Sequence, residues 1–161
     1  MEYQTLQISY TNNNRILSFD LKDILPECTD YENRRWVAWR VDCDACEWYQ
    51  RDASSQGRHP IFSKAKNDQI ELSFKDLKNY AENVGQTLDG FFLAMKPEIK
   101  NIPVINKNID LRAISDLIII AFDSSFFEVT TSDKAVLEKL RSKFKETEFI
   151  KYQLSVLAIP Q

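Results

Sequence analysis

Glycine is nearly missing from this chain, with three in 161 residues. That excludes the glycine-rich phosphate loops of the common nucleotide-binding motifs, which need several glycines at fixed spacing. Histidine occurs once, at His59, so imidazole chemistry has a single candidate. No apolar run approaches the ~18 residues that a membrane-spanning helix needs. The opening "MEYQTLQISY" lacks the basic start and apolar stretch of a secretory signal. Basic charge is not in excess: 21 Lys and Arg against 24 Asp and Glu give −3, with a sequence pI near 5.3. Nucleic acid is therefore not an expected partner, because its binders carry a basic stripe. The three cysteines are an odd number and suggest no disulfide framework. The expectation is a cytoplasmic protein with reduced thiols, away from any membrane.

What is present suits one globular domain over residues 1–161. Hydrophobic residues make up 43% and charged residues 28%, ordinary globular usage. A domain of this length buries about 68–70% of the surface its unfolded chain exposes, so it can build a core without metal or disulfides. No cofactor is expected.

The local patterns give an order of elements. "YQTLQISY", 3–10, reads as a strand, "TNNN" as a turn, and "RILSF", 15–19, as a strand pairing back on the first. Asp20 reads as an N-cap with Asp23 at N3, and Phe19 and Ile24 as a hydrophobic staple. Pro26 ends that short helix. The same grammar returns at "ELSFKDLKNYAENVG": Ser73 caps, Asp76 sits at N3, and Leu72 and Leu77 make the staple. Phe74, Leu77, Tyr80, Ala81 and Val84 share one face of a helix over 74–84, with Gly85 as its C-terminal cap. "GFFLAMK", 90–96, reads as a buried strand. Residues 97–112 form a connection of a length usually reserved for function or motion. Residues 117–122 are apolar on both faces, like a central strand. "DSS" turns the chain into "FFEVTT", and Ser132 caps a helix of about fourteen residues. "YQLSVLAI", 152–159, reads as a last strand before Pro160. Hairpins outnumber β-α-β alternation. The expected fold is α+β: a mostly antiparallel or mixed sheet with about three helices on one face.

The stretch "VDCDACEWYQRD", 41–52, holds the one Cys-x-x-Cys. Strict alternation over 35–43 would send Val37, Trp39, Val41 and Cys43 to one face and Trp36, Ala38, Arg40 and Asp42 to the other. "DA" at 44–45 then reads as a turn, with "CEWYQRD" running back. Cys28, Cys43, Cys46 and His59 together could fill a zinc tetrahedron. Cys43 or Cys46 with His59 could form a nucleophile–base pair. A domain of this size does not need zinc, and Asp42, Asp44 and Glu47 oppose a redox or nucleophilic use of the thiols, because neighbouring acids raise a thiol pKa. Residues 20–52 also hold nine acids against five bases, three tryptophans and two tyrosines. Aromatic anchors beside unbalanced charge suit a docking surface for a basic protein. The expected contacts are Asp42, Asp44, Glu47, Trp48 and Tyr49, with the 97–112 connection as second choice.

The segment "LIIIAFDSSFFEVTTSDKAVLEKLRSKFKE", 117–146, resembles the strand, D-S-S turn, aromatic strand and terminal helix of many small bacterial toxin-immunity proteins. Asp123, Ser124 and Ser125 form the turn of that pattern. The resemblance implies a cytosolic inhibitor that binds a cognate toxin and performs no chemistry. It assigns no binding residue, since immunity surfaces differ with their partners.

Overall fold

The computed structural model describes residues 2–9, 19–45, 65–123 and 125–151. Seven strands form one sheet: β1 (Gln4–Ile8), β2 (Trp36–Ala45), β3 (Gln69–Leu72), β4 (Val84–Met95), β5 (Ser115–Phe122), β6 (Phe126–Thr131) and β7 (Thr147–Ile150). Their spatial order is β3-β2-β4-β5-β6-β1-β7, and every neighbouring pair is antiparallel. The helices are α1 (Leu21–Ile24), continued by a 3-10 segment (Leu25–Tyr31), α2 (Phe74–Asn83), α3 (Leu111–Ile114) and α4 (Lys134–Lys143). The architecture is the α+β class expected.

Side-chain alternation divides the core into two clusters, one on each side of the sheet. On the first side, Leu6, Ile8, Trp36, Ala38, Phe92, Ala94, Leu117, Ile119, Phe127 and Val129 meet α1, the 3-10 segment, α2 and α4. Three helical units therefore share one face. On the second side, Val37, Trp39, Phe91, Leu93, Met95, Ile118 and Ile120 are buried with Ile105 and Leu111, and Ile99, Ile102, Ile109 and Ile114 pack beside them. The long 97–112 connection is thus a cover. Its isoleucines do on this face what helices do on the other. Strand β3 fastens it: the Gln69 side chain donates to the Pro103 carbonyl at 3.1 Å and accepts from the Ile105 N–H at 2.7 Å. Ile105 and Leu111 of this connection are core, while Val104 and most of its polar residues are exposed.

Several helix starts form as the sequence grammar implies. Asp20 accepts from the Leu21 N–H and Asp23 reaches back to the Asp20 N–H, closing a capping box. Ser73 Oγ accepts from the Asp76 N–H at 3.0 Å. Pro26 stands two residues beyond the end of α1, in the first turn of the 3-10 segment, where its missing N–H has no partner to lose. Other ends differ. Val84 leaves α2 in extended backbone and starts β4, so Gly85 is a strand residue and caps nothing. Asp133, one residue past Ser132, caps α4 through the Ala135 and Val136 N–H groups, and the helix has 10 residues. Strands β3 and β7 carry too short a signal to be read in advance. Both edges of β1 are occupied, by β6 and β7, where the expected hairpin would have placed 15–19. Residues 10–18, and the expected strand at 152–159, lie outside the described residues.

Strand β2 departs most from strict alternation. Its register against β4 runs Trp39↔Phe91 and then Asp42↔Asp89, so Arg40 and Val41 together oppose Gly90. Arg40 takes a left-handed φ of 52°, the signature of a bulge residue. One extra residue reverses the parity beyond it. Val41 and Cys43 therefore join Trp36 and Ala38 on the helical side, and Val37 and Trp39 face the loop. Asp44 and Ala45 continue the strand, opposite Gln86 and Val84, so the expected turn at 44–45 is replaced by ladder pairing. Gly90 permits the bulge. Its φ is +156°, and a Cβ there would lie 3.0 Å from Val41 Cγ2 and 3.2 Å from Val41 Cα.

Gly90→Ala should therefore destabilise the fold by more than about 1 kcal/mol, measured as a lower urea midpoint. Ile105→Ala, on a residue 3% exposed, should cost about 2–4 kcal/mol, the loss expected of a core position. A cost within about 0.5 kcal/mol would mean that the connection is not part of the core.

Candidate functional site

The isoleucine cover spans only half of its face. One row of cross-strand neighbours runs Trp39, Phe91, Ile120, Glu128, Gln7, Glu148 from β2 to β7. It is apolar as far as β5 and polar beyond. The row nearer the β5–β6 turn runs through Asp42 and Asp89 to the ring pair Phe122 and Phe126. Those rings stack with centroids 4.8 Å apart and 14° between planes, and both are half-buried.

The bulge places the acids here. By shifting parity at Arg40 it turns Asp42 to the loop side, directly opposite Asp89. Like charges opposed across a ladder disfavour the pairing. Asp89 finds partial relief as an acceptor for the Asp123 N–H, 2.8 Å from its Oδ1, which pins the β5–β6 turn to β4. That turn closes through the Ser125 N–H donating to the Phe122 carbonyl at 2.8 Å. Asp42, Asp89, Asp123, Glu128 and Glu148 form no ion pair among the described residues, whereas Asp30, Asp110, Asp116, Glu27, Glu71 and Glu138 all do.

Glu128 is the unusual member. It is 5% exposed in a central strand, and no hydrogen bond reaches its carboxyl among the described residues. Its cross-strand neighbour on β1 is Gln7, and the nearby Thr5 is bonded to Thr130, at 2.8 Å between the two hydroxyls. Burial alone pushes the Glu128 carboxyl above its ordinary value.

On the helical side the buried polar groups are satisfied. Asp20 accepts from the Leu21 and Thr87 N–H groups, and burial still raises its carboxyl. Tyr80 bonds Thr87 at 3.1 Å and also Cys43. Burial and the neighbouring Cys43 hold the Tyr80 phenol well above its usual range. This network ties α2 to β2, β4 and the α1 cap. Cys28 donates to the Ile24 carbonyl, and burial pushes its thiol up to about 12, so it stays protonated at neutral pH. No group of three His, Cys, Asp or Glu side chains suited to a metal occurs among the described residues. Cys46 and His59, the other half of the zinc and nucleophile readings, lie outside them.

A separate groove of about 690 Å³ runs beside β1 and β7, lined in part by Tyr3, Asp110, Arg112 and Lys151. Arg112 grips Asp110 through two bonds of 3.1 Å and holds its carboxyl below the usual range. That pairing uses the guanidinium within the chain.

Of the five expected contacts, Asp42 is exposed and belongs to the acidic row. Asp44 is placed by its backbone, in β2. Glu47, Trp48 and Tyr49 lie outside the described residues. Asp89, Phe122, Phe126, Glu128 and Glu148 were missed, because they come from four strands and only the ladder register brings them together. Trp36 and Trp39 are core, on opposite sides. No protein-family model, curated protein or solved structure matches the chain.

The raised Glu128 carboxyl fixes the sign of a pH effect. Its contribution to stability is complete below the unfolded value near 4.5 and is lost as pH rises through the folded value. Glu128→Gln removes the ionisation with little change of shape. Relative to the parent, the variant should be more stable near pH 8 and lose that advantage below pH 4.5. Urea midpoints at constant slope measure it. Asp20 is common to both proteins and cancels in the difference.

Proposed function

We propose that this chain is a non-catalytic inhibitor that binds another protein, and that it serves as an immunity protein neutralising a cognate bacterial toxin in the cytoplasm. The observation that carries the reading is the pair Asp42 and Asp89, opposed on a sheet face beside the half-buried Phe122 and Phe126 rings. The two acids have no counter-ion among the described residues. A basic partner supplies that counter-charge on docking. Charge of this kind steers association, and aromatic anchors slow release. The resemblance of residues 117–146 to immunity proteins supports the same reading. Phe122, Asp123 and Phe126 belong to that segment.

The test uses a toxin encoded beside this gene. Co-expression should protect cells, and the purified pair should form a complex. Asp89→Lys together with Asp42→Lys should cut the association rate at least about tenfold at low salt while the fold persists. Asp42→Asn should raise stability by about 0.2–1 kcal/mol while weakening the complex. That opposition is expected where a surface is kept at the fold's expense. Failure to protect would end the immunity reading. Protection with unchanged affinity in the folded double variant would keep the function and move the docking face.

A further inference from the structure

Among the described residues the sheet ends at two edges of different character. At β3, the Gln69 side chain is engaged by the 97–112 connection, and Glu71 pairs with Arg35 at 3.6 Å. At β7, the outer strand holds Phe149, which is 43% exposed and one of two large hydrophobics so exposed among the described residues. We propose that β7 pairs with β7 of a second copy of this chain, in antiparallel register about a two-fold axis at Phe149.

The register follows from which backbone groups are already used. Ser9 N–H donates to the Glu146 carbonyl at 3.0 Å, and the β1–β7 ladder continues as Ile8↔Thr147, Gln7↔Glu148, Leu6↔Phe149 and Thr5↔Ile150. In an antiparallel ladder the bonded residues alternate. Glu146, Glu148 and Ile150 therefore turn their N–H and C=O groups toward β1, and Thr147, Phe149 and Lys151 turn theirs outward. A two-fold axis at Phe149 lets the two Phe149 residues exchange both bonds. It also pairs Thr147 with Lys151 of the second copy, twice over. An axis at Glu148 would instead oppose two carboxylates with no bond between them.

Side chains agree with this choice. Phe149 lies on the helical side, where the Arg141 guanidinium sits 5.8 Å from its ring centre. In the pair, two Phe149 rings meet between two arginines, an arrangement that favours aromatic and cation–π contact. Glu148 faces Ile150 of the second copy on the other side. An edge strand that no other described strand covers is a template for such pairing. The contact is short, below the ~1,600 Å² of a standard interface, so the dimer is a weak one. The proposal stands apart from the docking reading, which concerns the sheet face and not its edge.

Sedimentation equilibrium of the full chain should show reversible dimerisation with a dissociation constant between about 1 μM and 1 mM. Phe149→Lys removes the ring. Thr147→Pro keeps the ring and removes an outward N–H that β1 does not use, which an edge strand tolerates. Each should weaken dimerisation at least about tenfold with unchanged circular dichroism. Amide exchange on the unmodified chain gives a second readout. Thr147, Phe149 and Lys151 should gain protection with rising concentration, and Glu148 and Ile150 should not change. A chain that stays monomeric to about 1 mM, a dimer that survives in either folded variant, or protection that ignores concentration would each overturn the proposal.

Discussion

Strands β4 and β5 are apolar on both faces, and that single constraint organises the structure. Phe92, Ala94, Leu117 and Ile119 face one way, and Phe91, Leu93, Ile118 and Ile120 the other. A sheet with one apolar face can leave its other face wet, but this one needs two covers. The helices supply the first. The second comes from a connection with just one turn of helix, studded with isoleucine where loops usually carry polar residues. A loop can bury itself this way only if its backbone groups are satisfied. The Gln69 amide does part of that work, binding both Pro103 and Ile105. Arg35 adds to it, donating to the carbonyls of Ile99 and Lys100.

The two covers differ in extent. Helices α1, α2 and α4 reach across the sheet from β2 to β1, while the isoleucine segment stops at β5. Polar residues begin where it ends: Thr130 beside Ile118, Glu128 beside Ile120, then Thr5 and Gln7 on β1. The same strand β6 is apolar toward the helices at Phe127 and Val129 and carries Glu128 and Thr130 on its other side, after Phe126. The boundary of the cover is thus written into the alternation of one strand.

Much of the fold was legible for this reason, and its gaps have physical causes. The doubly apolar run 117–122, the aromatic return strand and the capped starts of α1 and α2 are local signals, and they form as read. Gly85 misled because a glycine after a helical face usually ends the helix in left-handed backbone; here Val84 enters a strand at once. The covering role of the 97–112 connection was not legible, because its isoleucines have no regular period. The face assignment of β2 failed at Arg40, since a non-glycine residue in left-handed backbone leaves no mark in an alternating pattern. Gly90 held the clue, but its partner Val41 is known only from the register. The site was half legible. Asp42 stood out as an acid among aromatics, whereas Asp89 and Phe122 acquire meaning only beside it.

The bulge joins these observations. Without the extra residue at Arg40, Asp42 would point under the helices, into the space that Cys43 shares with Tyr80, and a carboxylate there would lack compensation. With it, Cys43 fills that space as a small apolar group and the acid turns to the other face. There it stands opposite Asp89 in the ladder. A glycine forced into an unusual conformation and an arginine in left-handed backbone are both costs of the same shift. The fold gains a packed helical side from it. The acidic row on the opposite side, beside two stacked rings that the isoleucine cover does not reach, is the other product of one inserted residue.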